Sequence, residues 1–423
     1  MDVHSGASFG DRYFPALKQR NFRIFWLGQL VSVIGTWMQN IGQDWLVLQI
    51  TGSAAKLSIV SAVQFVPIMF LALFAGPFVD RFPKRRTLIL TQSALAVLAL
   101  ALALITWTHV VQYWMILVLA FLLGMVQLID IPTRQAFVIE LAGRDALMNA
   151  VSLNSAAFNL ARIFGPAVAG ILIEAIGIAP CYFFNALSFL AVIVALLAVK
   201  VPPSAPTRSF GSVRDVLRST KEGLVYIKNR SEIAAPLILL AAISTFVINY
   251  SIFVPTFAKI NLGRAASGYG FLMTSMGVGS LVAALALAMR SSRGPSRMRL
   301  FGGALVMCVA IIICGIQRNY LVSCVLLAVA GFGTISFSAS TNATIQLASD
   351  NEHRGRVMSV YSLVFSGVTP IGSLWAGAVT EATSPAVCMI IAGGIGLAAV
   401  GAAILFIRRH PPVSFSPRSQ VTG

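Results

Sequence analysis

The sequence predicts an all-α integral membrane protein, with twelve membrane-spanning helices arranged as two pseudo-symmetric six-helix bundles. Hydrophobicity is the first reason. Of 423 residues, 57% are hydrophobic and 11% charged, and the mean hydropathy of +0.84 is outside the range of ordinary soluble domains. The second reason is segment length. A spanning helix needs about 20 mostly apolar residues, and such stretches run 22–49, 57–79, 87–107, 110–130, 149–175, 180–199, 235–258, 267–289, 299–317, 320–347, 356–381 and 385–407. The third is duplication. Ala150 to Gly177 return ungapped 207 positions later as Val357 to Ser384, with eight identities: Ser152/Ser359, Ser155/Ser362, Phe158/Phe365, Gly165/Gly372, Ala169/Ala376, Gly170/Gly377, Glu174/Glu381 and Ala175/Ala382. Shared apolar composition does not keep an acid and two glycines in register. Lipid offers backbone groups no partner, so segments of this length fold as helices.

Six segments lie on each side of the polar stretch 200–234. The chain therefore divides into an N-terminal bundle (1–199), a cytoplasmic linker with an amphipathic helix (200–234), a C-terminal bundle (235–407) and a tail (408–423) expected to be disordered. With a cytoplasmic N-terminus, 26 of the 31 Lys and Arg fall in tails or cytoplasmic loops, four fall outside (Lys56, Lys259, Arg264, Arg318), and Arg162 lies within a helix. That is the positive-inside pattern. It assigns the net charge of +17 to orientation and to contact with membrane lipid, and no nucleic-acid partner is expected. The loops are too short for a soluble catalytic domain, so no enzyme is expected. Cys181, Cys308, Cys314, Cys324 and Cys388 sit in or beside apolar helices as small hydrophobes, and the four scattered histidines suggest no metal site.

Segment 1 carries Gln29, Ser32, Thr36, Gln39 and Gln43 at alternating steps of 3 and 4, which is one helical face. Amides facing lipid are costly, so the stripe faces either a cavity or another helix, and five polar residues over four turns favour the cavity. Gly28, Gly35 and Gly42 form a neighbouring stripe suited to close helix approach. Near the outer end of the segment, Asp44 is a candidate for proton uptake and release; an interfacial carboxylate is the alternative. Segment 5 aligns Ser152, Ser155, Asn159 and Arg162, and segment 11 aligns Ser359, Ser362, Ser366 and Thr369 at equivalent positions. Only the first stripe carries a charge. Arg162 lies roughly 18 Å into its helix, and a charge near mid-membrane points to substrate or coupling ahead of a purely structural role. The linker opens on Pro202-Pro203-Ser204-Ala205-Pro206 and continues with charges among apolar residues at helical spacing.

The loop after segment 2 reads Gly76-Pro77-Phe78-Val79-Asp80-Arg81-Phe82-Pro83-Lys84-Arg85-Arg86. Here the chain resembles the major facilitator superfamily, whose signature is Gly-x-x-x-Asp-Arg-x-Gly-Arg-Lys; Pro83 replaces the second Gly. The resemblance implies a cytoplasmic gate formed by Gly76, Asp80, Arg81, Lys84 and Arg85, with Asp80 facing the start of segment 11 near Val357 and Lys84 meeting Asp130 at the inner end of segment 4. The run Ala161-x-x-x-Gly165-Pro166-x-x-Ala169-Gly170 is similar to the Gly-rich motif of the superfamily's drug exporters, with Gly165 and Gly170 for packing and Pro166 for bending. Asp130-x-Pro132-x-Arg134-Gln135-Ala136-Phe137 looks most like the bacterial branch containing the enterobactin exporter and macrolide efflux proteins.

That resemblance implies a secondary carrier that exports a small amphipathic organic molecule, drug-like or siderophore-like, by alternating access. Its driving force would be the proton gradient, with no bound cofactor. The expected cavity lies between segments 1, 4, 5, 7, 10 and 11, with Gln29, Thr36, Gln39, Asp44, Arg162, Asn249, Tyr250, Asn342 and Tyr361 as substrate or coupling candidates. A monomer in the bacterial cytoplasmic membrane is implied, with both termini cytoplasmic. Import or uniport of a lipid-like or sugar-like solute is an alternative, as is a non-transporting receptor or scaffold. The absence of a Gly-x-x-x-x-Gly-Lys-[Ser/Thr] loop argues against an ATP-driven pump.

Overall fold

The computed structural model describes residues 15–143, 146–200, 213–289 and 296–409, without the side chains of 73–78, 80, 213–217 and 219. The N-terminal half contains α1 (Arg20–Thr51), α2 (Ala54–Arg81), α3 (Lys84–Trp107), α4 (Tyr113–Ala142), α5 (Leu147–Ile176) and α6 (Ala179–Ala198). A linker helix, α7 (Val213–Lys228), precedes the C-terminal half. That half contains α8 (Ser231–Phe246), α9 (Tyr250–Ile260), α10 (Ala266–Met289), α11 (Arg297–Ile316), α12 (Tyr320–Ala348), α13 (Arg354–Ser366), α14 (Thr369–Ala382) and α15 (Pro385–Arg409). Among the described residues, eleven spans are long and apolar enough to cross a membrane, counting α8 with α9 and α13 with α14 as single spans. The remaining rod, α1, is 32 residues long, or about 48 Å. Its polar stripe lowers its hydropathy. The last residues of the tail and the proline run of the linker lie outside the described residues.

Segments 7 and 11, expected as continuous helices, are broken. Pro370 opens α14, and a proline there would clash with the carbonyl of Ser366 in an unbroken helix. At the other break the Asn249 side-chain amide donates to the Thr245 carbonyl at 2.7 Å, replacing the helical N–H that would have bonded there. The two breaks adjoin, because a side chain at Gly372 would collide with the Thr245 carbonyl and approach Asn249. Their counterparts in the first half, α1 and α5, run unbroken, even through Pro166.

The duplicated glycines explain how the halves fit. Gly165 of α5 presses on Trp37 of α1, and its equivalent Gly372 of α14 presses on Thr245 of α8, so each binds the first helix of its own half. Gly170 meets Ser267 and Gly270 of α10, whereas Gly377 meets Ser58 of α2, so each binds the second helix of the opposite half. The symmetry extends past the aligned block: the Cys181 thiol lies 3.9 Å from the Ala169 carbonyl, and Cys388 lies 3.5 Å from that of Ala376, its equivalent.

Candidate functional site

The two halves are tied together at the end opposite the linker. Side-chain hydrogen bonds between the halves include Ser53 Oγ and the Ala55 N–H to Glu381 Oε2 (3.0 and 3.2 Å), Lys259 Nζ to the Leu48 carbonyl (2.8 Å), Tyr269 OH to Asp44 Oδ2 (2.8 Å) and Thr274 Oγ1 to the Ile163 carbonyl (3.0 Å). The last is adjacent to Arg162; the others lie toward the far end. The clamp has an electrostatic logic. Lys259 puts a cation at the C-terminal end of α1, and Glu381 puts an anion at the N-terminus of α2, each matching the sign of that helix end. At the linker end, by contrast, Ser152, Ser155, Ser359 and Ser362 all remain exposed. Their hydroxyls are partly satisfied locally, as in Ser152 to Met148 O and Ser359 to Gly355 O. The two duplicated polar stripes are thus accessible at equivalent positions of α5 and α13.

Glu381→Gln keeps the length of the clamp and removes its charge. The group is solvent-exposed, so the expected effect is modest, a shift toward the far-open state of about two- to fivefold. Maleimide labelling of Ser58→Cys in a cysteine-free background reads this shift, because Ser58 is buried against Gly377 when the far end is closed. An unchanged labelling rate excludes a gating role for Glu381.

Arg162 stands at the position equivalent to Thr369, the first residue after the α13–α14 break. Its guanidinium lies 5.8 Å from the Trp37 ring centre and within electrostatic reach of Tyr250, whose hydroxyl hydrogen-bonds Thr334 at 2.8 Å. These contacts link α1, α5, α9 and α12 across the midplane. Among the described residues, no acid pairs with Arg162. Aromatic pairs occur in both halves: Phe158 edge-on to Trp37 at 5.8 Å, and its equivalent Phe365 stacked on Tyr361 at 6.0 Å. Asn342 sits beside Tyr361 and accepts from Gln346 at 2.7 Å. A lone guanidinium among rings suits an amphipathic ligand with an anionic group.

Several expectations need correction. The polar stripe of α1 is buried at Gln29, Ser32, Gln39 and Gln43 instead of lining a cavity, and Gln39 Oε1 accepts from Asn185 of α6 at 2.7 Å. The glycine stripe beside it packs on the same helix, with Gly28 against Ala195, Gly35 against Asn185 and Ser188, and Gly42 against Tyr182. Thr36 is half-buried and bonds the Ser32 carbonyl of its own helix. Asn249 is buried at the break of the seventh span, and Tyr250 is buried toward α12.

Lys84 does not meet Asp130; its Nζ bonds Glu140 Oε2 at 3.2 Å. Asp130 is not at a helix end either, because α4 continues twelve residues beyond it to Ala142. Its buried carboxylate accepts from Thr91 and Gln92 of α3 at 2.7 Å each, and from Arg134 one turn along. Asp130 therefore ties α3 to α4. Arg85 donates to the Leu196 and Leu197 carbonyls at 2.7 and 3.0 Å, capping α6, and Arg81 is exposed. The surroundings of Gly76 and the side chain of Asp80 lie outside what is described; Val357, the expected neighbour of Asp80, is buried.

Residues 12–417 match the family model described as "Transmembrane secretion effector". Among curated proteins, the chain is 23% identical to the Staphyloferrin A transporter of Staphylococcus aureus over 83% of this chain and 87% of that protein. It is 26% identical to the multidrug efflux pump Tap of Mycobacterium tuberculosis, over 84% and 85%. Among solved structures, the nucleoside transporter NupG superposes with a TM-score of 0.73 at 12% identity, covering 92% of this chain and 99% of that one.

Proposed function

Because the chain belongs to the transmembrane secretion effector family, and so to the major facilitator transporters, we propose that it exports small amphipathic organic molecules bearing an anionic group. The proton gradient drives the cycle, and the linker end is the cytoplasmic side. The observation that carries this reading is Arg162, without an acid partner among the described residues and set among Trp37, Phe158 and Tyr250 at the level where the seventh and eleventh spans break. Discontinuous helices at the midplane are characteristic of carrier sites, and an unpaired intramembrane cation calls for an anion from elsewhere. Relatives named for a siderophore and for drugs are consistent with such cargo. Lys56, Lys259, Arg264 and Arg318 all fall at the far end, which supports the orientation. Nothing in the fold calls for more than a monomer.

The test is accumulation of fluorescent amphiphiles and of carboxylate and catechol siderophores in efflux-deficient cells, with and without the protein, before and after a protonophore. Lower accumulation of anionic members, abolished by the protonophore, is the expected result. Higher accumulation would establish import instead, and preference for cationic members would remove Arg162 as the recognition group.

A further inference from the structure

Two apolar grooves meet at the start of α11, far from the central cavity. The larger, of about 480 Å³, lies between α11 and α15, with Phe301, Leu305 and Ile404 in its walls and Arg297 and Arg408 at its linker-end rim. The smaller, of about 240 Å³, runs between α10, α11 and α12, with Leu287, Val306 and Phe332 in its walls and Arg299 beside it. Met298 and Gly302 line both. Gly302 makes the junction open, since a Cβ there would meet no atom within 4 Å. Met298 is 84% exposed, standing as a ridge between the grooves.

Apolar grooves on a bundle surface at this depth face the hydrocarbon and are filled by acyl chains. The rim is what distinguishes this pair. Arg297 opens α11 and Arg408 lies in the last turn of α15, so both sit at the interfacial level of one leaflet, both are exposed, and among the described residues neither forms an ion pair. Glu232 lines a small recess with Arg297, and the two form no ion pair. We propose that this is a binding site for an anionic phospholipid, with the two acyl chains straddling Met298 and the phosphate held by Arg297 and Arg408. Guanidinium forks match phosphate oxygens, and two grooves diverging from one rim match a diacyl lipid.

Native mass spectrometry of the full chain, titrated with phosphatidylglycerol or phosphatidylcholine of identical chains, tests the assignment. Wild-type protein is expected to retain phosphatidylglycerol preferentially. Arg297→Gln with Arg408→Gln lowers that retention about 30-fold, at roughly 1 kcal/mol per basic residue near an anionic headgroup. The double lysine variant restores most of it. Lys221→Gln with Lys228→Gln, which removes the same charge from the linker helix, leaves it unchanged. Gly302→Leu keeps every charge, fills the junction and weakens retention of both lipids. Equal retention of the two lipids by wild-type protein overturns the site, as does equal loss in the linker control or full retention by the arginine-to-glutamine variant.

Discussion

Arg162→Ala is expected to lower transport at least about 30-fold at equal membrane abundance, the loss of a desolvated charge contact being worth roughly 2–5 kcal/mol. Arg162→Lys keeps the charge but loses the planar face presented to Trp37 and the fork geometry, so it should recover part of the rate and little of the affinity. Export from vesicles, with KM and maximal rate resolved, separates the two. A thermal melt in detergent supplies the second readout. A structural arginine destabilises when removed, whereas an arginine held without a partner for the sake of a ligand carries a desolvation cost. Arg162→Ala should therefore melt no lower than wild type. Full activity in both variants would exclude Arg162 from the site.

Arg162 was legible in the sequence because a charge in mid-segment needs only hydropathy to be noticed. The duplicated glycines were legible too, and the structure gives each pair one symmetric task. What the sequence concealed was the direction in which polar side chains point. The stripe of α1 has the right period, but period alone does not tell which neighbour a face meets; Asn185 and Ser188 of α6 decide that Gln39 turns inward. Asp130 was misplaced for a related reason. Its negative charge closed the apolar window early, whereas the helix continues because Thr91, Gln92 and Arg134 satisfy that carboxylate. Glu140, the real partner of Lys84, was hidden behind the same false boundary. Tyr269, Lys259 and Glu381 went unassigned because their partners lie across the seam between halves, more than 200 residues away.

The strongest effect on coupling should come from Asp44→Asn. Asp44 is half-buried in α1 and takes its hydrogen bond from Tyr269 of α10 at 2.8 Å, beside Trp45, which stacks on the same tyrosine at 6.2 Å. Lys259 stands 6.0 Å from the Trp45 ring, and Tyr182 of α6 is within electrostatic reach of the carboxylate. Because Tyr269 belongs to the opposite half, its bond to Asp44 exists only while the far end is closed; opening strips the carboxylate of that partner. A group whose environment changes with the gate must change its proton affinity with the gate, and linkage makes the converse true. Asparagine still accepts from Tyr269 but exchanges no proton. Asp44→Asn should therefore keep downhill, substrate-driven exit and lose uphill, protonophore-sensitive export by tenfold or more. Tyr269→Phe makes the opposite change, weakening the closed gate while leaving the carboxylate, so it should alter the rate and retain protonophore sensitivity. Uphill export surviving in Asp44→Asn would place the coupling site elsewhere, and loss of coupling in Tyr269→Phe alone would make the gate, not the carboxylate, its seat.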